Sequence, residues 1–449
     1  MKLDLSWEQA AAAMGGKLTR GSSDARFNDF VTDSRLAVKG TVFLALEGKN
    51  HDAHKFLPEL GRAGLFGAIV KTGKAHMAEG VAQVIEVPDT LLALQQLASF
   101  HRDRFDIPVA AVTGTNGKSS SKEMMKAIFS QKGNTCANKG NLNNQYGLPF
   151  SLLELGPEHQ LAVFELGASR SGDIQEIARL AKPHAAVITN VSPAHLEFFG
   201  DLETIYRTKT EITACLQPGG TLIYNTDDPM LSRLDTQWKG KSITFGTSQK
   251  VRMRAADGDR GLALIYDGER HELEFSAPGQ HNRLNAAGAA AAALALGLGW
   301  KEIAAGLASY KPLPGRLQIE KRGAASVIFD AYNSNPASAK AALDTLASAK
   351  ARPLVAVLGD MKELGEHSGK YHRELGAYAA GLKLDRIFMA GPDIKPAYDA
   401  AIELGAKNVV YSADYNRWLP ELKATTAQGG TILLKASRAM GFEEILKQL

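Results

Sequence analysis

The residues Gly114-Thr115-Asn116-Gly117-Lys118-Ser119-Ser120 stand between an apolar strand pattern, 107–112, and a helical pattern, 121–130. That placement suits them to hold phosphate. Backbone N–H groups of a glycine-containing loop and of the following helix start point at anionic oxygens, Lys118 adds a mobile positive charge, and the Ser119 hydroxyl can ligate Mg²⁺. The usual phosphate-loop spacing puts a glycine where Val112 stands, so this is a tighter Gly-x-x-Gly-Lys-Ser loop. An ordinary strand-to-helix turn with a capping serine is the competing account.

Glu165 closes an apolar strand pattern, where a carboxylate is costly to bury unless it is paired or placed on a metal. A Mg²⁺ ligand and a cap for the helix at Gly172-Asp173-Ile174 both meet that requirement. His195, within Thr189-Asn190-Val191-Ser192-Pro193-Ala194-His195-Leu196-Glu197, also follows a strand end. A lone histidine is more often structural, and its surroundings alone do not decide.

These groups need a scaffold of strands whose carboxyl ends face one way. Val109–Thr113, Leu161–Glu165, Ala185–Thr189 and Thr221–Tyr224 are each followed by helix or turn signals, which predicts a largely parallel sheet with ligands at those ends. An antiparallel patch is expected over 242–275, where Leu262, Leu264 and Tyr266 alternate before the turn Asp267-Gly268. Upstream, β-type runs at 30–32, 41–46, 67–70 and 83–87 with a helical pattern around 56–63 read as a small α/β domain. Residues 91–105 then form a connecting helix. Lys311-Pro312-Leu313-Pro314-Gly315 breaks the chain again. Beyond it, strands at 327–329, 354–358, 386–390, 409–411 and 432–434 outline a Rossmann-like domain without a Gly-x-Gly-x-x-Gly turn.

The expected fold is therefore α/β in three domains: a small α/β domain at 1–90, a central phosphate-loop domain with a mostly parallel sheet at 91–311, and a C-terminal Rossmann-like domain at 312–449. A chain of 449 residues has room for three cores. Its net charge of +4 gives no argument for a nucleic-acid partner. Two cysteines, Cys136 and Cys215, cannot build a disulfide framework. With no secretory pattern at Met1–Trp7 and no membrane span, the expected location is the cytoplasm. The small-residue run 286–297 is too short to cross a bilayer and is expected to be a tightly packed interior helix.

Taken in order and spacing, Thr113–Ser119, Gly140-Asn141-Leu142-Asn143-Asn144, Glu165-Leu166-Gly167-Ala168, Ala194-His195-Leu196-Glu197 and Lys209 resemble the Mur ligase family of ATP-dependent amide-forming enzymes. The resemblance extends to Thr32-Asp33-Ser34-Arg35 and the run 40–48. It extends also to Asp330-Ala331-Tyr332-Asn333-Ser334-Asn335-Pro336, to the run 359–365 and to Lys435-Ala436-Ser437-Arg438, so it covers nearly the whole chain. These outer motifs look most like the branch that adds a dipeptide.

The resemblance implies an ATP-driven peptide bond in peptidoglycan precursor synthesis, with UDP-N-acetylmuramoyl-tripeptide and D-alanyl-D-alanine as substrates and a monomeric enzyme. It implies that Gly114 to Ser120 cradle ATP, that Lys118 meets the β- and γ-phosphates, and that Ser119 and Glu165 hold one Mg²⁺ and His195 a second. Lys209 would carry a metal-facing carbamate; a solvated lysine on the helix from Leu202 is the alternative. Asn285 would meet the nucleotide base or cap a helix, while Arg316 and Asp330 would reach ATP or be ordinary surface charges. Ser34, Lys49, Asn50 and Asn144 are the candidates for substrate, with turn roles close behind.

Three other readings stay open at this point. A diamino-acid-adding sibling often carries an Asp-Asn-Pro-Arg run, absent here. Folylpolyglutamate synthase usually lacks the Thr-Asp-Ser-Arg domain. A regulatory ATP-binding protein without ligase activity would have no need of Lys118, Glu165, His195 and Lys209 together.

Overall fold

In the computed structural model, which describes residues 3–48 and 51–449, contact density divides the chain into two units. The first comprises Met1–Ala111, Gly133–Leu166 and Gln175–Pro183; the second comprises Val112–Lys132, Gly167–Ile174 and His184–Leu449.

Within the first unit the run Gly67–Lys71 is buried along almost its whole length, as an inner strand must be. It lies between Val42–Leu44 and Gln83–Val87, parallel to both, and Lys17–Arg20 completes the sheet antiparallel to Gln83–Val87. Phe43, Leu57, Leu60, Val70 and Val84 share one core. Gly67 is there because Trp7 crosses it: a Cβ would meet the indole at 2.2 Å. The expected strand at 30–32 is reduced to a single bridge between Val31 and Phe43. Asp29, Asp33 and Ser34 interrupt it with turn hydrogen bonds. The connecting helix runs Thr90–Arg102, with Asp89 capping it through Leu92 N at 2.8 Å.

In the second unit, Ala185–Ile188, Thr221–Asn225, Lys241–Gly246 and Met253–Ala256 run parallel, and Gly261–Tyr266 and Glu269–Glu274 close the edge as antiparallel strands. The expected antiparallel patch therefore begins at Met253 and not at Ser242. Lys241–Gly246 pairs in register with Thr221–Asn225, burying Ile243 and Phe245 as a parallel inner strand does. The helix Gln280–Ala295 packs on this sheet with its alanines fully buried from Ala286 to Ala293, which is the interior helix expected from its small residues. Gly288 lets it approach: a Cβ there would lie 3.2 Å from Phe245.

The C-terminal part of this unit is a six-stranded sheet in the order Gln318–Arg322, Ala325–Asp330, Gly430–Lys435, Leu354–Gly359, Arg386–Ala390, Val409–Ser412. Only Gln318–Arg322 is antiparallel. Neighbouring residues face opposite ways: Ile387 joins a core with Leu343, Leu346 and Leu375, and Phe388 one with Trp418, Leu422 and Phe442. The carboxyl ends of the parallel strands place Asp330, Gly359, Ala390 and Lys435 on one edge. Among the described residues no helix is long and apolar enough to cross a membrane.

Candidate active site

The helix after the phosphate loop begins at Lys118, three residues earlier than its apolar period suggests, because Gly117 turns into the left-handed region at φ +80° and ends the loop. Gly114, at φ +138°, is equally required: a Cβ would lie 2.0 Å from Thr189 Oγ1. Thr189 Oγ1 donates to Asn116 O at 2.5 Å, Thr115 N donates to Asn190 O at 2.9 Å, and Asn116 N donates to Asn190 Oδ1 at 3.0 Å. The loop is thus held from beneath by the end of the strand Ala185–Ile188. Lys118 Nζ donates to Gly114 O and Thr115 O, both at 2.9 Å, which fixes the amine over the loop. Asn285 presses against it from the long interior helix, its Oδ1 2.3 Å from where a Gly117 Cβ would stand. Ser119 and Ser120 are buried.

His195 adopts φ +52°, a costly backbone for a non-glycine residue, and its Nδ1 pairs with Glu363, itself at φ +65°. Burial lowers its pKa, the Glu363 carboxylate opposes that, and the charge of Lys118 adds to it.

Lys209 is the most informative group. Its helix, Leu202–Thr210, is capped by Asp201 through Thr204 N at 2.7 Å and turns Ile205, Tyr206, Thr208 and Lys209 inward. Lys209 is 3% exposed, with Nζ 5.5 Å from the centre of the Phe199 ring. Burial first, then repulsion from Lys118, lowers its pKa to about 7, against weaker attraction by Asp173 and Glu211. A solvated surface lysine would show none of this, so the alternative account of Lys209 fails on burial.

The C-terminal sheet reaches the loop through amides. Asn335 Nδ2 donates to Asn116 Oδ1 at 2.7 Å and Asn116 Nδ2 donates to Asn335 Oδ1 at 3.3 Å, while Asn335 also caps the helix Pro336–Ala347. In the same loop Asp330 pairs with the buried Lys435 at 3.1 Å and accepts from Leu317 N at 3.2 Å. Arg316 lies over the Tyr332 ring at 4.2 Å.

The remaining candidates belong to the first unit. Glu165 is 3% exposed; its Oε1 accepts from Asn143 Nδ2 at 2.8 Å, and its Oε2 is buried without a hydrogen-bond partner. A buried carboxylate oxygen left over in this way fits a cation. The backbone of Glu165 is fixed by Asn138 in both directions. Asn144 Oδ1 accepts from Tyr146 N and Gly147 N, a turn role at the start of the helix Gly147–Leu152. Ser34 opens a short 3₁₀ turn capped by Asp33. Lys49 and Asn50 lie outside the described residues.

Within the second unit, then, the structure gathers the loop 114–120, His195, Lys209 and Asn285, and through Asn335 it ties them to the segment bearing Asp330. Sequence reasoning gave no role to Asn335, Glu363 or Lys435. Their signal was present only as motif membership, since each acts through a partner more than a hundred residues away. Among the described residues no three His, Cys, Asp or Glu side chains cluster as a metal site.

Fold and site together define an α/β phosphate-loop protein with a buried, readily neutralised lysine near its loop. The chain matches the Mur ligase middle domain over residues 112–293 and the Mur ligase glutamate ligase domain over 315–438. UDP-N-acetylmuramoyl-tripeptide–D-alanyl-D-alanine ligase from Synechocystis sp. is 37% identical, covering 96% of this chain and 94% of that one. The ligase of that name from Escherichia coli is 34% identical over 100% and 98%. Among solved structures, MurF from Acinetobacter baumannii superposes with a TM-score of 0.89 at 31% identity, covering 99% of this chain and 98% of that one. MurF ligase from Thermotoga maritima in complex with ADP gives 0.84 at 28% identity, covering 93% and 96%. The chain belongs to the Mur ligase family, in its MurF branch.

Proposed function

We propose that this chain joins D-alanyl-D-alanine to the terminal carboxylate of UDP-N-acetylmuramoyl-tripeptide at the expense of one ATP. A carboxylate oxygen of the tripeptide attacks the γ-phosphorus, the bond to the β–γ bridging oxygen breaks, and ADP leaves. The dipeptide amine then attacks the acyl carbon, phosphate departs with the electrons of the C–O bond, and the nitrogen sheds its proton. Phosphorylation is needed because an oxide ion is otherwise the leaving group.

Lys118, fixed over the loop, stabilises charge developing on the γ-phosphate, and the loop N–H groups hold the phosphate chain. Mg²⁺ would be held by Ser119, Glu165 and His195, with Lys209 as a carbamate; when bound it screens the repulsion between the two anions that react. Asn285 would meet the base, Arg316 and Asp330 the nucleotide, and Ser34, Lys49, Asn50 and Asn144 the UDP-substrate. The domains would be 1–90 for the UDP-substrate, 91–311 for ATP and 312–449 as the C-terminal Rossmann-like ligase domain. The enzyme would act as a monomer in the cytoplasm.

The observation that carries this reading is Lys209. A buried lysine with a pKa of about 7 is a nucleophile for CO₂ at neutral pH: the ammonium first gives up one proton, the freed lone pair forms the N–C bond as a C=O π bond opens onto oxygen, and a second proton leaves the nitrogen, so that a cation becomes a carboxylate. A nucleotide sensor has no use for that conversion. Phosphate release measured with each substrate omitted in turn tests the proposal. Release that requires ATP, UDP-N-acetylmuramoyl-tripeptide and D-alanyl-D-alanine together is expected; release indifferent to the dipeptide would overturn it.

A further inference from the structure

Gly430–Lys435 lies between Ala325–Asp330 and Leu354–Gly359, so chain order along the C-terminal sheet reverses there. Ligands of open α/β sheets settle in the crevice outside the carboxyl ends of strands at such a point. Two guanidinium groups meet one ring at this edge: the Cζ atoms of Arg316 and Arg438 lie 4.2 Å and 5.4 Å from the Tyr332 ring centre. Among the described residues neither has a carboxylate within ion-pair range. Lys435, the third cation, is already engaged by Asp330 and by Asn333 O. An arginine stacked on an aromatic face keeps its in-plane N–H fork available for a planar anion.

Arg316 is assigned to the nucleotide in the function proposed above, which leaves Arg438. The two loops flanking this crevice are tied through different residues. The 330–335 loop is joined to the phosphate loop by the Asn335–Asn116 amide pair. The loop bearing Arg438 is joined to the run 359–365: Ser437 N donates to Asp360 O at 3.1 Å, and Lys362 N donates to Ser437 Oγ at 3.0 Å. Asp360 and Lys362 are themselves paired at 2.7 Å, with Asp393 holding Lys362 from the other side at 2.8 Å. Both loops are thus tied back to the phosphate-loop region, the 330–335 loop through Asn116 and the run 359–365 through the pairing of Glu363 with His195. A dipeptide that offers its amine to an acyl phosphate places its carboxylate roughly 6–7 Å further on. That carboxylate needs a cationic partner at this distance from the reacting amine.

We propose that Arg438 receives the C-terminal carboxylate of the incoming dipeptide in a two-point contact, with Tyr332 holding the guanidinium plane, and so selects acceptors that end in a free carboxylate. The assignment rests on the function proposed above.

The test compares wild type with Arg438→Ala and Arg438→Lys, using D-alanyl-D-alanine and its C-terminal amide as acceptors. With the free dipeptide, kcat/KM falls about 10- to 100-fold in Arg438→Ala, mostly through the dipeptide KM. Arg438→Lys keeps the charge without the fork and recovers only part of that loss. KM values for ATP and the UDP-substrate stay as in wild type. With the amide, wild type and both variants coincide, because the carboxylate that Arg438 would bind is gone. An equal loss with the amide, or a loss that falls on the ATP KM, overturns the assignment, the second by making a phosphate the anion. Wild type that cannot use D-alanyl-D-alanine at all refutes the proposed function instead.

Discussion

Lys209 and Lys435 are both lysines buried to within a few per cent, yet the protein treats them differently. Burial lowers the pKa of each. Lys435 sits on Asp330 at 3.1 Å and donates to Asn333 O, so its charge is met in the place where it is buried. Lys209 has no carboxylate within ion-pair range among the described residues; Asp173 and Glu211 act on it only from a distance, and Lys118 opposes them. A buried ammonium that is paired holds structure. One that is left unpaired gives up its proton at neutral pH, and the neutral amine that results can do chemistry.

The largest effect expected from this contrast is on turnover. Lys209→Ala should lose activity by about 10³-fold with an unchanged far-ultraviolet circular dichroism spectrum, and formate or acetate should restore part of it as a surrogate anion. Lys209→Arg should be as inactive, since a guanidinium forms no carbamate. Full activity of Lys209→Arg in CO₂-depleted buffer would remove the distinction between the two lysines. Lys118→Ala should lower kcat by about 10²-fold at saturating ATP and Mg²⁺, by loss of the charge over the phosphate loop.

Lys435→Met should act on stability instead. It strands Asp330 beside an apolar side chain, and denaturant unfolding should show a loss of about 3 kcal/mol. Loss of turnover without loss of stability in this variant would place Lys435 in the chemistry after all.

The two lysines should also differ in pH response. Lys209 titrates at about 7 in the fold against 10.5 for an ordinary lysine, so between those values the unfolded chain binds the extra proton. The unmodified lysine therefore destabilises the fold at neutral pH, and stability rises as pH rises through this window. Lys209→Met should flatten that slope in urea titrations followed from pH 7 to pH 10. The smallest effect concerns the amide pair: a double-mutant cycle of Asn116→Ala and Asn335→Ala should give a coupling of about 1 kcal/mol.

The phosphate loop and the inner strands were legible in the sequence because each is a local pattern: Val109–Thr113 and Leu161–Glu165 are apolar up to their last residue, Leu354–Gly359 is apolar throughout, and all three are buried along their whole length. The edge strands Lys17–Arg20 and Gln318–Arg322 were not, since a strand with one face in water carries Lys, Thr, Arg, Gln and Glu and has little apolar period to read. The site divides in the same way. Gly114, Gly117 and Lys118 follow from spacing along one loop. The environment of Lys209 does not, because Leu202–Thr210 shows a polar helix whose burial is decided by what packs over it. Nor do the partnerships of Glu363 and Asn335, which join residues distant in the chain.

The contrast between the two lysines is decided most directly by ¹³C NMR of the protein equilibrated with ¹³C-bicarbonate at pH 8. One carbamate resonance is expected in wild type and in Lys435→Met, strengthened by Mg²⁺, absent in Lys209→Arg, and fading as pH falls below 7. A spectrum without a carbamate signal in wild type, or a signal that survives in Lys209→Arg, would mean that Lys209 is a second structural lysine and that the activating anion must be sought elsewhere.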